Sequence, residues 1–188
     1  VDVRISVNDP RYDAQVNLLG LLNLLEGARE VGTGRFMYVS SGGVVYGEPE
    51  IRPTPEEAPK LPLSPYGVTK LAAEQLCNLY HVNYGVPAVA LRFFTVYGPR
   101  QRPDMGFSQF LGAVARGEAV RQFGDGRQTR DFTFVADAVA ATVAAANRGR
   151  PGHVYNIGGG SRIELAAVFE LSRRLTGRQM RVEQADPQ

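Results

Sequence analysis

The sequence predicts an α/β fold built on a parallel β-sheet. Helical and strand-like patterns alternate along the chain, the order expected when helices connect parallel strands. Residues 88–94 form a continuous apolar run, as expected for a strand buried on both faces of such a sheet. Before that strand, Ser64 and Pro65 supply a helix N-cap and a favourable first helical residue. Together these features predict a main sheet domain over residues 1–98. Residues 99–188 are expected to form mainly a smaller α/β lobe, with some segments returning to the main sheet.

Composition places the chain among ordinary globular proteins. Its 188 residues are 44% hydrophobic and 21% charged, and a net charge of +2 gives no reason to expect a nucleic-acid or membrane partner. Cys77 is the one cysteine in the sequence, so no disulfide can form within the chain, which fits a reducing compartment. We find no secretion signal and no apolar run of 18 residues, and we therefore expect a cytoplasmic location.

The first third of the sequence is dominated by one helical pattern. Residues 1–7 alternate apolar and polar side chains, and Asp9-Pro10 then predicts the start of a helix that continues to about Val31. Asn17 lies inside this helix and is expected to bridge two backbone segments near the site. One side of the helix is predicted to carry Val16, Leu19, Leu22, Leu25 and Ala28.

A strand, a long loop and a second helix follow. Residues 36–40 are predicted to form a strand, and residues 42–63 a long loop of the kind that is often functional. Within this loop, Glu56 and Glu57 are expected at the solvated surface. The helix predicted over residues 65–84 has apolar residues recurring at helical spacing, namely Val68, Leu71, Ala72, Leu76 and Leu79.

The second half alternates short elements. From the pattern we predict helices over residues 107–116, 135–147 and 163–176, strands over 120–123 and 154–157, a turn over 124–132 and a strand from residue 180.

Tyr66 and Lys70 form the pattern from which the chemistry is predicted. Residues four apart lie on the same face of a helix, so the phenol and the ammonium point the same way. A phenol with a pKa near ~10 is a poor base at neutral pH, but a neighbouring ammonium stabilises the phenolate and lowers that pKa. Ser40 and Ser41 end the preceding strand, the place where ligands bind in open α/β sheets. The sequence therefore predicts a proton-transfer site made of a serine, Tyr66 and Lys70.

Four arginines lie in two glycine-bearing loops, with Arg100 and Arg102 in one and Arg127 and Arg130 in the other. If the loops converge, the guanidinium groups form a clamp for a diphosphate; the alternative is that all four are ordinary surface residues. No metal site is predicted, because the cysteine and the two histidines lack ligand spacing.

Taken together, four motifs resemble the extended short-chain dehydrogenase/reductase family, in its nucleotide-sugar epimerase/dehydratase branch. They follow the family's order and spacing across essentially the whole chain, at residues 40–47, 64–70, 91–101 and 124–132. The chain is most similar to UDP-glucose and UDP-glucuronate 4-epimerases. The resemblance implies a partial Rossmann-type, doubly wound parallel sheet with a smaller C-terminal substrate lobe, NAD as cofactor and a nucleotide sugar, expected to be a UDP-sugar, as substrate.

The family's cofactor-binding glycine loop is absent from this sequence. Family members begin with a strand and a G-x-x-G-x-x-G loop that holds the NAD pyrophosphate, and neither Gly42-Gly43 nor residues 158–160 match a glycine fingerprint. By the resemblance, Val1 aligns just after the family's fourth strand, and Gln188 precedes its last substrate-contacting segment. We therefore expect a fragment of a longer enzyme, inactive by itself.

The resemblance implies a role for each candidate site residue. Tyr66 removes the proton of the sugar 4-hydroxyl, and Lys70 lowers the pKa of Tyr66 and binds the nicotinamide ribose. Ser41 binds the reacting oxygen, although the adjacent glycine turn leaves Ser40 as an alternative. Contacts to the cofactor are expected from Ser40, Ser41, Tyr66, Lys70, Phe94 and Val96. Contacts to the nucleotide sugar are expected from Thr95, which replaces the asparagine of many family members, and from Phe123, Arg100 and Arg130.

The expected reaction is epimerisation at C4 through a transient 4-keto sugar. Related 4,6-dehydratases and decarboxylases carry acidic residues where this chain has Gly43 and Val44, neither of which can move a proton. A nucleotide-sugar 4-reductase, a dehydratase and a non-catalytic module without NAD remain the alternatives. Family members often form homodimers through two long helices, which correspond here to residues near 10–31 and 65–84.

Overall fold

The structure, a computed structural model, describes residues 2–123, 125–178 and 181–185. These residues form two compact units. The first unit consists of residues 1–94 and 136–157, and the second of residues 95–135 and 158–188.

The α-helices are, in chain order, α1 (Val3–Asn8), α2 (Pro10–Ala14), α3 (Gly20–Glu30), α4 (Gly42–Val45), α5 (Pro65–Tyr84), α6 (Gly106–Arg116), α7 (Val135–Arg148) and α8 (Leu165–Thr176), with a π-helical turn (Gln15–Leu19) between α2 and α3. The strands are β1 (Phe36–Ser41), β2 (Ala88–Phe93), β3 (Thr95–Tyr97), β4 (Ala119–Phe123), β5 (Thr129–Phe134), β6 (Val154–Ile157), β7 (Arg162–Glu164) and β8 (Arg181–Ala185). Within the described residues, none of these helices is both long and apolar enough to cross a membrane.

The first unit is organised by a three-stranded parallel sheet in the order β1-β2-β6. The first five residues of β2 are buried, because the strand has neighbours on both edges and packing on both faces. Ser40 of β1 lies opposite Arg92 of β2, and Ser41 lies opposite Phe93. The predicted fold class, α/β with a parallel sheet and a smaller C-terminal lobe, is confirmed.

The first long helix begins as predicted but faces differently. Asp9 caps it by accepting a hydrogen bond from the Tyr12 amide at 2.9 Å. Leu25 and Ala28 are buried as expected, whereas Val16 and Leu19 are exposed. The π-helical turn contains both exposed residues and widens the helix there, so one apolar side does not continue through it.

Helix α5 begins and ends where the sequence predicts, with Gly85 in the left-handed conformation (φ 72°) at its C-cap. Its buried side includes Ala73, Cys77 and Tyr80, which form one core with Leu25 of α3 and with the facing side of the sheet. The apolar residues at helical spacing do not coincide with this side, because Val68 and Leu79 are about half exposed.

The second unit contains two small sheets. Strand β3 pairs in parallel with β5, which pairs antiparallel with β7, and β4 pairs in parallel with β8. Its apolar core joins Ala113 of α6, Val120 of β4 and Phe169 of α8. The turn predicted over residues 124–132 is therefore wrong in its second half, where β5 begins at Thr129 and places Arg130 on a strand.

Candidate functional site

The start of α5 is fixed by close contacts that hold Tyr66 in place. Ser64 caps the helix by accepting a hydrogen bond from the Gly67 amide at 3.1 Å, and Pro65 occupies the first turn. The Tyr66 amide donates to the Ser6 hydroxyl of α1 at 3.1 Å. A side chain at Gly67 would meet the Val44 carbonyl oxygen at 2.8 Å, so glycine is what allows this turn to approach α4.

Lys70 joins α5 to the end of β1. Its ammonium donates to the Val39 carbonyl oxygen at 2.9 Å and lies 5.6 Å from the centre of the Tyr66 ring. The Tyr38 ring is 5.0 Å away on another side. The structure thus brings Tyr66 and Lys70 together as the spacing predicted, while their catalytic roles stay predictions. Ser41 lies two residues beyond Val39 on the same strand.

The charge state of Lys70 reflects two opposing influences. Burial lowers the pKa of Lys70, because removing an ammonium from water disfavours the charged form. The negative charges of Asp13 and, to a lesser extent, Glu74 raise it. An ammonium held beside the Tyr66 ring is the group that makes a phenolate more accessible.

Ser40 and Ser41 have different environments. Ser40 is 3% exposed, and its hydroxyl donates to Glu74 Oε1 at 2.5 Å. Ser41 is half-buried at the end of the strand, where it precedes α4 without capping that helix through its side chain. The hydroxyl of Ser40 is therefore committed to the interior, and the geometry favours Ser41 over Ser40 for contact with a ligand.

A buried ion pair underlies this strand end. Glu74 accepts hydrogen bonds from Arg92 Nε at 2.9 Å and Nη2 at 2.6 Å, and both side chains are nearly inaccessible to water. Arg92 Nη1 also donates to the Tyr46 hydroxyl at 2.5 Å. We call Ser40, Glu74, Arg92 and Tyr46 the Glu74 cluster. It ties β1, β2, α5 and the segment after α4 together at one end of the sheet.

Glu56 is not the solvated surface residue that the sequence suggested. Its side-chain Oε1 accepts a hydrogen bond from the Asn156 amide at 2.9 Å, and its carbonyl oxygen accepts one from Arg92 at 3.0 Å. Asn156 also accepts a hydrogen bond from the Tyr46 hydroxyl at 2.8 Å. The long loop is therefore anchored to β2 and β6, whereas Glu57 is exposed as expected.

A second polar cluster lies between α2, the π-helical turn and α5. Asp13 is fully buried, and its Oδ2 accepts a hydrogen bond from the Thr69 hydroxyl at 2.6 Å. Asn17 Nδ2 lies 2.9 Å from Asp13 Oδ1 and 3.1 Å from Thr69 Oγ1. We call these three residues the Asp13 cluster. Asn17 thus links two side chains rather than the backbone segments that the sequence suggested.

These clusters contain residues that the sequence reasoning missed. Glu74 follows Lys70 by four positions and so shares its helix face, and Arg92 is a charge inside an apolar strand. Asp13 precedes Asn17 by four positions on a helix. A buried charge signals a partner, but the pattern alone does not say which residue across the fold provides it.

Phe94 packs directly on the turn that follows Ser41. A side chain at Gly42 would meet the Phe94 ring at 2.6 Å, so this contact requires glycine. Phe94 also packs against the buried Val45 and Tyr46. The structure therefore places the predicted cofactor residue Phe94 beside the end of β1.

The other candidate residues belong to the second unit. Thr95 and Val96 lie on β3, and Val96 accepts a hydrogen bond from Gln101 Nε2 at 2.9 Å through its carbonyl oxygen. Arg100 and Arg130 are exposed, and Arg100 has a positive φ of 68°. Of the other two arginines, Arg102 pairs with Asp104 at 3.0 Å and Arg127 is exposed. The side chain of Phe123 lies outside the described residues.

Within the described residues, no group of three or more histidine, cysteine or carboxylate side chains is arranged to hold a metal ion. Cys77 is buried, and burial raises the pKa of its thiol to about 12.

This chain is similar to proteins that are named as UDP-sugar epimerases. The uncharacterized UDP-glucose epimerase YtcB of Bacillus subtilis is 42% identical over 173 residues, which is 90% of this chain and 54% of that protein. The UDP-glucose 4-epimerase of Thermotoga maritima, solved with UDP-glucose, superposes with a TM-score of 0.96 at 36% identity, covering 100% of this chain and 62% of that one. The UDP-glucuronic acid 4-epimerase of Bacillus cereus, solved with UDP-glucuronic acid and NAD, gives a TM-score of 0.93 at 37% identity, covering 100% of this chain and 60% of that one.

The chain spans a little over half the length of the curated relatives it matches. The model of the NAD-dependent epimerase/dehydratase family matches residues 2–158, which is most of the chain. The resemblance that the four sequence motifs indicated is thereby confirmed: this chain belongs to the NAD-dependent epimerase/dehydratase family.

Proposed function

We propose that this protein epimerises a nucleotide sugar at C4, with NAD as cofactor, through a transient 4-keto sugar. The observation that carries the proposal is the placement of Tyr66 and Lys70, whose ammonium lies 5.6 Å from the phenol ring and is anchored to the carbonyl oxygen of Val39. Structural neighbours solved with UDP-sugars support a UDP-sugar as the substrate.

The residues at the end of β1 fit the nicotinamide-ribose end of NAD. Lys70 offers an ammonium donor and Ser41 a hydroxyl, while the Phe94 ring packed on Gly42 offers an apolar wall. Val96 is also proposed to contact NAD. Ser40 contributes through its backbone, because its hydroxyl is bound to Glu74. When bound, NAD supplies the group that takes up hydride from C4 and returns it.

In the proposed mechanism, Tyr66 acts as the general base. Its phenolate removes the proton of the 4-hydroxyl, and the charge of Lys70 stabilises that phenolate. Ser41 donates a hydrogen bond to the reacting oxygen. After the 4-keto sugar turns over, Tyr66 returns the proton to the oxygen, which leaves the opposite configuration at C4.

Residues of the second unit are proposed to hold the nucleotide sugar. Arg100 and Arg130 are exposed guanidinium groups suited to the two phosphates. Thr95 and Phe123 are proposed to contact the nucleotide sugar. Arg102 is a weaker choice for the phosphates, because it already pairs with Asp104.

Epimerisation is favoured over dehydration by the chemistry of α4. This helix carries Gly43 and Val44 where, by family resemblance, dehydratases have an acidic pair. Glu56 does not replace that pair, because its side chain is bound to the Asn156 amide.

The test is turnover of UDP-glucose and UDP-glucuronate by the full-length protein in the presence of NAD. Replacing Tyr66 with Phe removes the base and should lower kcat by about 10²–10⁴-fold, with sugar binding retained. The matched control is Tyr12→Phe, because Tyr12 is a half-exposed tyrosine of α2. Near-normal turnover of the Tyr66→Phe protein would contradict the mechanism.

A homodimer and a cytoplasmic location belong to the same proposal. The location rests on the single cysteine, which allows no disulfide within the chain. The dimer is supported by exposed apolar side chains on both long helical segments, namely Val16, Leu19 and Leu24 on the first and Val68, Leu79 and Val82 on α5. Sedimentation should give a dimer that Leu79→Glu with Val82→Glu converts to a monomer; a parent protein that is already monomeric would contradict this.

A further inference from the structure

Asp13 is a buried carboxylate whose hydrogen-bond donors are neutral. It has no exposed surface, and its two oxygens are bound by the Thr69 hydroxyl at 2.6 Å and by Asn17 Nδ2 at 2.9 Å. Within the described residues, no arginine or lysine forms a salt bridge with it. An ionised carboxylate inside a protein is costly unless some positive charge lies nearby.

Lys70 presents the opposite case. Its half-buried ammonium is bound by a backbone carbonyl and flanked by the rings of Tyr38 and Tyr66, and across the described part of the chain it makes no salt bridge with a carboxylate. Glu74 is on the same helix, but its charge is already neutralised by Arg92. Of the two carboxylates that act on Lys70, Asp13 is therefore the one whose negative charge is not balanced by a guanidinium group.

The chain order connects the two groups. Thr69, which binds Asp13, is the residue directly before Lys70, and its hydroxyl also lies 3.1 Å from the carbonyl oxygen of Tyr66. One side chain of α2 thus contacts the helical turn that carries both Tyr66 and Lys70.

We propose that Asp13 is a positioning residue of the Tyr66–Lys70 site, which fixes the N-terminal part of α5 through Thr69 and keeps Lys70 in its ammonium form. The consequence for catalysis rests on the proposed function. The proposed charge coupling between Asp13 and Lys70 is independent of that function, because it requires neither cofactor nor substrate.

The charges around Lys70 agree with this role. Burial lowers the pKa of Lys70, and the charge of Asp13 opposes that more strongly than the charge of Glu74. Among the described residues, the groups that act on Lys70 or on the Tyr38 ring beside it are Tyr66, Glu74 and Cys77 on α5, Tyr38 on β1 and Asp13 on α2, and Arg92 on β2 pairs with Glu74. Burial raises the pKa of Tyr38 and of Cys77, so both stay neutral near pH 7 and add no charge. Removing the charge of Asp13 therefore lowers the pH at which Lys70 loses its proton.

The test uses NMR titration of the lysine side chains. The chain has two lysines, Lys60 and Lys70, so ¹³C-labelled lysine gives one reporter and one internal reference. The variants are Asp13→Asn, which removes the charge with little change in shape, and Thr69→Val, which removes the hydroxyl but keeps the charge. Glu48→Gln is the matched control, because it neutralises a carboxylate whose side chain is 83% exposed.

In Asp13→Asn, the Lys70 midpoint should fall to lower pH while the Lys60 midpoint stays in place. Thr69→Val and Glu48→Gln should leave the Lys70 midpoint close to its parent value. An unchanged Lys70 midpoint in Asp13→Asn would overturn the proposal, as would an equal fall in Thr69→Val.

A reciprocal measurement covers the case in which Asp13→Asn does not fold. Coupling between two sites is mutual, so the positive charge of Lys70 should stabilise the fold around the buried Asp13 carboxylate. Chemical denaturation at pH 7 should give a lower free energy of unfolding for Lys70→Met than for Lys70→Arg, which keeps the charge. Equal free energies of unfolding in the two variants would overturn the proposal.

Turnover separates this proposal from the proposed function. In an active enzyme, Asp13→Asn should move the alkaline limb of the pH–rate profile to lower pH, in step with Lys70, and Asp13→Glu should restore it in part. If Lys70 responds but no nucleotide sugar is epimerised, the coupling stands and the proposed function fails. If epimerisation occurs but Lys70 does not respond, the role of Asp13 fails alone.

Discussion

Glu74 and Asp13 are both buried carboxylates, the first on α5 and the second hydrogen-bonded to it, yet their partners differ. Glu74 is held by two nitrogen atoms of Arg92 and by the Ser40 hydroxyl, so its charge is compensated where it stands. Asp13 is held by neutral donors, and its charge acts on Lys70. A locally compensated charge contributes mainly to the structure, whereas an uncompensated one changes the protonation of its neighbours.

The largest effect that tests this comparison is expected on removal of Glu74. Glu74→Ala leaves the Arg92 guanidinium buried without its partner, which should lower the free energy of unfolding by about 3–5 kcal/mol. Chemical denaturation measures this loss. Glu170→Ala, which breaks an exposed pair with Arg173, is the control and should change stability little.

A double variant sharpens the interpretation. Replacing Glu74 and Arg92 together by methionine removes both buried charges, so stability should recover part of the loss seen in Glu74→Ala. If Glu74→Ala costs no more than the Glu170 control, the Glu74 cluster does not have the structural role assigned to it.

A smaller contrast is expected between two buried tyrosines. The Tyr46 hydroxyl accepts a hydrogen bond from Arg92 and donates one to Asn156, so Tyr46→Phe should cost about 1–3 kcal/mol. The Tyr38 hydroxyl is buried without a hydrogen-bond partner among the described residues, so Tyr38→Phe should be neutral or stabilising. Thermal unfolding of the two variants side by side provides the measurement. A larger loss in Tyr38→Phe than in Tyr46→Phe would contradict the hydrogen-bond assignment.

Much of the local structure could be predicted from the sequence because local signals determine it. Ser64, Pro65 and Gly85 mark both ends of α5 through capping and backbone preference, and these bounds are confirmed. The pairing of Tyr66 with Lys70 follows from helix geometry and is also confirmed as a placement. The α/β class follows from the order of the elements.

The facing of side chains was predicted less well. The apolar repeat in α5 suggested one buried side, but Thr69 and Glu74 are buried while Val68 is exposed. Polar residues are buried here because each finds a partner on another element, and such pairings depend on contacts between residues far apart in the chain. Glu56 was wrongly predicted at the solvated surface for a related reason: its partner, the Asn156 amide, lies 100 residues away in the chain.

By itself, the sequence determined the class of fold, the helix that carries Tyr66 and Lys70, and the family to which the chain belongs, since these depend on local preferences and motif spacing. The tertiary structure decided that the Ser40 hydroxyl is bound in the interior while Ser41 is half-buried at the strand end. It also decided that the charge of Asp13 raises the pKa of Lys70 more than the charge of Glu74 does, because the electrostatic effect of a charge depends on its distance and on its other partners.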